Sequence, residues 1–218
     1  MAGMTDYTAT AFLKWLSGQT AMPSLPTHVY LALFTAAPGD ASGSAGTEVS
    51  GTGYARVAIE TLMAVPASSG PTSDQNNATV SFAQAGSDWG TVVAWALFDA
   101  STAGNRLAWD YLGDNPWCPF TCTLASPGVI NAPGITSGST PNLANGDSVV
   151  VTAEFGGTLA TGMSAGTGTV ASLSSDTFNI AENTTSVGSG MVRKITPQAI
   201  PNGVTASFAS GSIKLFAA

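Results

Sequence analysis

The sequence has 218 residues, a formal net charge of −7 and only 9% charged residues. Six Lys+Arg residues, with Arg193-Lys194 the one adjacent pair, make no patch able to replace the counterions of phosphate, which argues against nucleic acid or an anionic membrane surface as a partner. A charged fraction so far below the usual ~25% leaves Ser, Thr, Gly, Asn and Gln to supply the polar surface, which suits a turn-rich β protein and equally one that buries itself against partners.

Residues 5–17 read as one amphipathic helix. Thr5 or Asp6 can cap it, Gly18 can end it, and Ala9, Phe12, Leu13 and Leu16 recur at helical spacing, a stripe expected to face the core or dock on a neighbour. The opening segment has no basic n-region and no long apolar run, so neither a signal peptide nor a membrane span is expected from it. Pro23 and Pro26 bracket a turn, after which the pattern becomes that of strands.

His28–Phe34 (HVYLALF) is a continuous apolar run of strand length, and residues 35–53 have loop composition. Residues 54–62 alternate, with Val57 and Ile59 on one side and Arg56 and Glu60 on the other; residues 64–77 read as a further loop. Ala78, Val80 and Phe82 alternate with Thr79 and Ser81. Residues 92–98 and 107–111 form a candidate hairpin around DASTAGN, where Gly104 and Asn105 can supply positive φ and Asp99 can hold backbone amides. At the other end, residues 204–208 and 213–216 read as two strands separated by ASGS.

Residues 118–198 differ in texture. Tryptophan and tyrosine are absent there, and Gly, Ser and Thr dominate. Strand candidates lie at 148–152, 167–173, 177–180 and 191–195, separated by the turn signals NGD, GG and SSD. The expected organisation is a discontinuous β domain, 1–117 plus 199–218, with a second small all-β domain, 118–198, inserted near its C-terminal end, where an exposed turn tolerates insertion. The fold class expected is all-β, an antiparallel sandwich or barrel-like domain with a short N-terminal helix.

Cys118 and Cys122 sit in CPFTC. One C-x-x-x-C and one distant histidine make no zinc site, and a disulfide would close a very small loop, so reduced structural thiols in a cytosolic setting are expected. The strings YLALFTAAPGDASGSAGTEVSGTGYARVAI, VSFAQAGSDWGTVVAWALFDASTAGNRLAW and NGVTASFASGSIKLF resemble a family of bacteriophage virion proteins of tail-fibre-like or minor structural type. The recurrent elements GTEVSGxGYAR, F-x-x-A before W-G-T-V, FDA-x-x-x-G-N-x-L-x-W and a closing F-x-x-G occur in order across 29–112 and 203–216. NGDSVVVTAEFGGTLATGMSAGTGTVASLSSDTFNIA resembles small β modules of phage tail proteins, with Met163 in place of a leucine and Gly168 where an aromatic is common. The resemblance implies a compact antiparallel β domain with an N-terminal helix, present in the virion and assembled in the host cytoplasm.

Candidate chemistry is sparse. His28 is the one histidine, so triad chemistry lacks an obvious base. Asp88, Asp99, Asp110 and Asp114 lie near aromatics, and Asp110 with Asp114 would be the pair for glycoside hydrolysis, but structural roles fit them better. SGSAG and GTGYAR do not have phosphate-loop spacing, and the glycosylation patterns at Asn77 and Asn183 read as chance. Of the five tryptophans, Trp95 and Trp109 fall inside apolar runs and are expected in the core, whereas Trp117, between two prolines, is expected to be exposed or at an interface. No catalytic, cofactor or metal residues are assigned. The expected function is a non-enzymatic virion structural protein: a capsid decoration, collar or tail-appendage subunit. It would associate with itself and with major capsid, neck or tail proteins. The second reading is recognition of a host surface glycan or protein through the inserted domain.

Overall fold

The computed structural model describes residues 3–21, 26–41, 44–64, 73–113, 115–135, 143–153 and 157–216. Pro23, Asp114 and residues 65–72 of the expected second loop lie outside them. The chain forms two compact units, residues 1–112 with 197–218, and residues 113–196. The protein is all-β; among the described residues the exceptions are one N-terminal helix and a short 3-10 turn.

In the first unit, β1 (Gly3–Met4), α1 (Asp6–Leu16), β2 (Tyr30–Ala36), β3 (Thr47–Glu48) and β4 (Val57–Ala58) come first. They are followed by β5 (Ser73–Gln75), β6 (Val80–Gln84), β7 (Thr91–Val92), β8 (Ala94–Phe98) and β9 (Arg106–Tyr111). The antiparallel sheet runs β1-β9-β8-β2-β3, with β4 also on β2. Leu31, Ala32, Leu33 and Phe34 are all buried because both faces of β2 are covered, which is why HVYLALF is apolar without alternating. Leu31, Leu33, Trp95 and Leu97 join the main core; Ala32, Phe34, Ala94, Ala96 and Phe98 form a second cluster.

The opposing layer of the main core comes from short ladders closed by the returning chain. Strand β17 (Gln198–Ala199) pairs with β7, β18 (Thr205–Phe208) with β6, and β19 (Lys214–Phe216) with β5. Among the described residues the last two strands therefore do not pair with each other; each completes an earlier strand. The run expected as one strand at 92–98 is likewise divided, since Val92 pairs with β17 and the β8 ladder begins at Ala94. The strand expected at 54–62 shrinks to β4, because the chain turns into a 3-10 helix at Glu60–Leu62. There the Glu60 carboxylate reaches back to the Val29 amide at 3.3 Å and to the His28 ring.

Trp95 is buried as expected, but Trp109 is not in the main core. Trp109 stands opposite Ala96 and Asp110 opposite Trp95, so the two indoles lie on opposite faces of the sheet. Trp109 is half-buried against the second cluster, with its Nε1 donating to Asp40 at 2.8 Å. Trp89 fills the main core beside Tyr54 and Phe82.

The second unit contains β10 (Cys118–Cys122), β11 (Ile130–Asn131), β12 (Ser148–Thr152), β13 (Gly166–Thr169), β14 (Ala171–Ser174), β15 (Thr177–Asn179) and β16 (Gly188–Ile195). Its sheet runs β13-β12-β16-β10-β11-β15-β14. The two outermost strands are consecutive in the chain with Val170 alone between them, so the sheet must curl until its edges nearly meet. Val170 is buried in the resulting core with Phe120, Ile130, Val149, Val151, Phe178 and Val192. The strand expected at 167–173 is thus two strands at opposite ends of the sheet order.

Cys118 and Cys122 are both buried and free, on the same face of β10. Four residues of extended strand separate them by roughly 13 Å, beyond the reach of a disulfide. Burial raises both thiol pKa values.

Candidate functional site

Three features of the first unit meet around α1. The helix begins after Thr5, whose side chain does not cap it. Instead the Thr5 hydroxyl donates to the Arg106 carbonyl and Thr8 Oγ1 donates to the Leu107 carbonyl at 2.8 Å, so the first turn is pinned to β9 by hydrogen bonds. Asp6 in the first turn and Lys14 in the last complement the helix dipole. Gly18 follows the last turn, which ends at Ser17, whose hydroxyl donates to the Leu13 carbonyl at 2.8 Å.

The sequence stripe is not core-facing. No residue of α1 is buried, and Phe12, Leu13 and Leu16 are 37, 61 and 66% exposed, with Trp15 at 46%. Hydrogen bonds hold the helix down at its start, so the apolar side is left for something else to cover.

The other side of α1 forms a wall of a cleft of about 870 Å³. Asp6, Tyr7, Thr10 and Lys14 line it from the helix, Asp40 and Gly46 from the loop after β2, and Gly104 and Arg106 from the β8–β9 hairpin. Its floor is an ion pair. Arg56 donates from Nε and Nη2 to the two oxygens of Glu48, at 2.9 and 2.7 Å, and from Nη1 to the carbonyls of Ala100 and Ala103. The guanidinium carbon lies 3.6 Å from the centre of the Phe98 ring. Tyr54 donates to Glu48 at 3.0 Å and accepts from the Leu33 amide at 2.9 Å; burial pushes its pKa upward. These are the Glu, Tyr and Arg of GTEVSGTGYAR, so the motif is an anchoring network that ties β3, β2 and the hairpin turn together. Gly51 within it lies against Trp89, where a Cβ would come within 2.3 Å of the indole ring.

Arg106 crosses under the loop and donates to the carbonyls of Gly39, Ala41 and Ser44. Desolvation lowers its pKa, against the favourable charge of Asp40. The hairpin turn is held by Asp99, which accepts from the Asn105 amide and side chain at 2.7 and 2.8 Å, as its sequence position implied. Positive φ falls on Ala103 and Gly104, not on Asn105.

The remaining sequence candidates take local roles. Asp88 accepts from the Gly90 amide and Asp110 from the Tyr111 amide, each at 2.8 Å. His28 contacts Glu60, whose pKa that contact lowers. Asn183 accepts from Ser126. Trp117 is half-buried, with the guanidinium of the buried Arg193 4.9 Å from its ring. Among the described residues no group of three or more His, Cys, Asp and Glu is placed to hold a metal ion. Sequence reading missed the fully buried Asn76, which clasps the returning chain. The polar run SDQNNAT hid it, since nothing local separates Asn76 from the exposed Asn77 beside it.

Residues 3–115, just over half of the chain, match the family described as Podophage GP4 fiber I protein gp80. The match takes in α1, the cleft and the Glu48–Tyr54–Arg56 network; residues 116–218 lie outside it. No curated protein matches the chain.

Proposed function

Because the chain belongs to this podophage fibre family, we propose that it is a non-enzymatic structural subunit of a virion appendage that associates with itself and docks on the particle. The observation that carries the reading is the exposed apolar side of α1 in a region matched to a fibre protein. Large apolar side chains in an isolated patch mark a surface that another molecule covers. The scarcity of charge supports the same reading, since uncharged surface is cheaper to desolvate than charged surface. Among the described residues, Asp88, Asp99 and Asp110 each accept a backbone amide in a turn, a role that suits a scaffold.

Mass spectrometry and cryo-electron microscopy of purified virions test this. The chain is expected in the particle, with density for its β units in a fibre or appendage at low copy number. Virions of normal morphology that lack the chain overturn the proposal.

A further inference from the structure

We infer that the cleft beside α1 is a carbohydrate site of the first unit, which takes a short oligosaccharide of uncharged sugars. This is a binding function added to the structural one, and neither depends on the other.

The helix wall of the cleft carries unspent hydrogen-bonding groups. Asp6, Thr10 and Lys14 fall at i, i+4 and i+8, so they stand in one row along α1, with Tyr7 next to the first. Their side chains have no hydrogen-bond or ion-pair partner among the described residues, in contrast to Asp88, Asp99 and Asp110, which each hold a turn. The row offers an acceptor, a hydroxyl and a donor over roughly 12 Å, the rise of eight helical residues. An apolar ligand would cover these groups and leave them unpaired, which costs binding. Sugar hydroxyls both donate and accept, and so match all of them. The Tyr7 ring is 44% exposed and lies outside the core clusters, free to carry the apolar face of a sugar ring.

Charge selects an uncharged ligand. Among the described residues, the carboxylates of Asp6, Asp40 and Glu48 and the cations of Lys14, Arg56 and Arg106 line the cleft, and they balance. Glu48 and Arg56 neutralise each other as a pair, and Asp40 acts on Arg106. An ion of either sign would be stripped of water without a net opposite charge to receive it. The chain's net charge of −7 turns polyanions away before they arrive.

The cleft is built before a ligand enters. Thr5 and Thr8 fix the start of the helix, the Asp6 amide donates to the Asp40 carbonyl at 3.3 Å, and Trp109 holds the Asp40 carboxylate at 2.8 Å. Walls that need no ordering keep more of the interaction energy as affinity. Small lining residues, Ala11, Ala45 and Ala103 among them, leave the volume of about 870 Å³ unfilled, within the roughly 300–1,000 Å³ of small-molecule sites.

The test presents the full chain to an array of neutral oligosaccharides and of acidic ones that carry sialic or uronic acid. Binding to neutral members is expected, with the acidic ones left unbound. Calorimetry with the strongest neutral oligosaccharide then locates the site. Tyr7→Ala should weaken its affinity about tenfold, and Tyr7→Phe, which keeps the ring, should bind. Thr10→Trp, which fills the cleft, should abolish binding, and Leu16→Lys, on the exposed apolar side, should leave it unchanged. These positions are exposed, so each variant should melt at the temperature of the parent chain. An array with no neutral binder overturns the proposal, as does selective binding of acidic glycans or an affinity that Tyr7→Ala and Thr10→Trp leave intact. Presence in the virion is scored separately: a chain found in the particle that binds no sugar overturns the carbohydrate site alone, whereas a sugar-binding chain absent from the particle overturns the structural reading alone.

Discussion

The side-chain oxygen of Asn76 accepts the backbone amide of Ile213, 137 residues further along the chain, at 2.8 Å. The Asn76 side-chain nitrogen, Nδ2, donates to the carbonyls of Ala78 and Ala209 at 2.8 and 2.7 Å. Asn76 thus stitches the start of β6 to the turn between β18 and β19, and it does so with no exposure to water. Asn76→Ala leaves a buried amide and two carbonyls unmatched. Chemical denaturation should show a loss of about 3 kcal/mol, with Asn76→Asp also destabilised because it cannot donate to both carbonyls.

The Arg56–Glu48 pair is the second anchor. The Arg56 side chain is 7% exposed and that of Glu48 28%. Glu48→Ala strands a nearly buried guanidinium and should cost about 2–4 kcal/mol. Arg56→Lys should cost nearly as much, because an ammonium cannot reproduce two parallel bonds to one carboxylate while reaching two carbonyls. A double-mutant cycle on the two positions should return a coupling well above the 0–1 kcal/mol of a surface pair.

Gly51→Ala places a methyl group where the Trp89 ring already lies. The ring is packed edge-on against the stacked pair Tyr54 and Phe82, and its Nε1 donates to the Thr52 carbonyl at 3.0 Å, so it has no easy retreat. The expected loss is about 1–3 kcal/mol, accompanied by a red shift in tryptophan emission as the indole is displaced.

The two cysteines should be inert in the folded chain. Thiol titration with a disulfide reagent is expected to label neither in native buffer and both in denaturant. Their raised pKa values give the pH dependence its sign. The native state keeps its thiol protons where the unfolded chain releases them, so this stability is intact below the ordinary thiol pKa of ~8.5 and declines as pH rises beyond it. Cys118→Ala with Cys122→Ala should flatten the alkaline limb of the stability curve.

At the acid end, the His28 contact lowers the pKa of Glu60 from 4.5. A carboxylate depressed in the folded state contributes above its unfolded pKa and is lost as pH falls through the folded one. Glu60→Gln should therefore lower stability slightly at pH 7 and remove a small part of the acid transition below pH 4.5, both read by thermal melts across pH. The effect stays small because the pair is open to water.

The sequence by itself determined the class of fold, the N-terminal helix, the Asp99 clasp and the phage family. All rest on local signals: strand-length apolar runs, an amphipathic segment, an aspartate at the start of a turn and motif spacing. It could not decide which strands pair. β18 and β19 look like a hairpin in isolation, yet each finds an earlier partner, because the Asn76 clasp and the main core reward pairings over a hundred residues apart. It could not separate Trp95 from Trp109, since a continuous apolar run does not say which face of a sheet each residue takes until the register is set. Nor could it decide the destination of Ala9, Phe12, Leu13 and Leu16. Helical periodicity shows that a face is apolar, but whether that face is buried depends on what the rest of the chain lays against it, and here Thr5 and Thr8 pin the first turn to β9 while Phe12, Leu13 and Leu16 stay exposed.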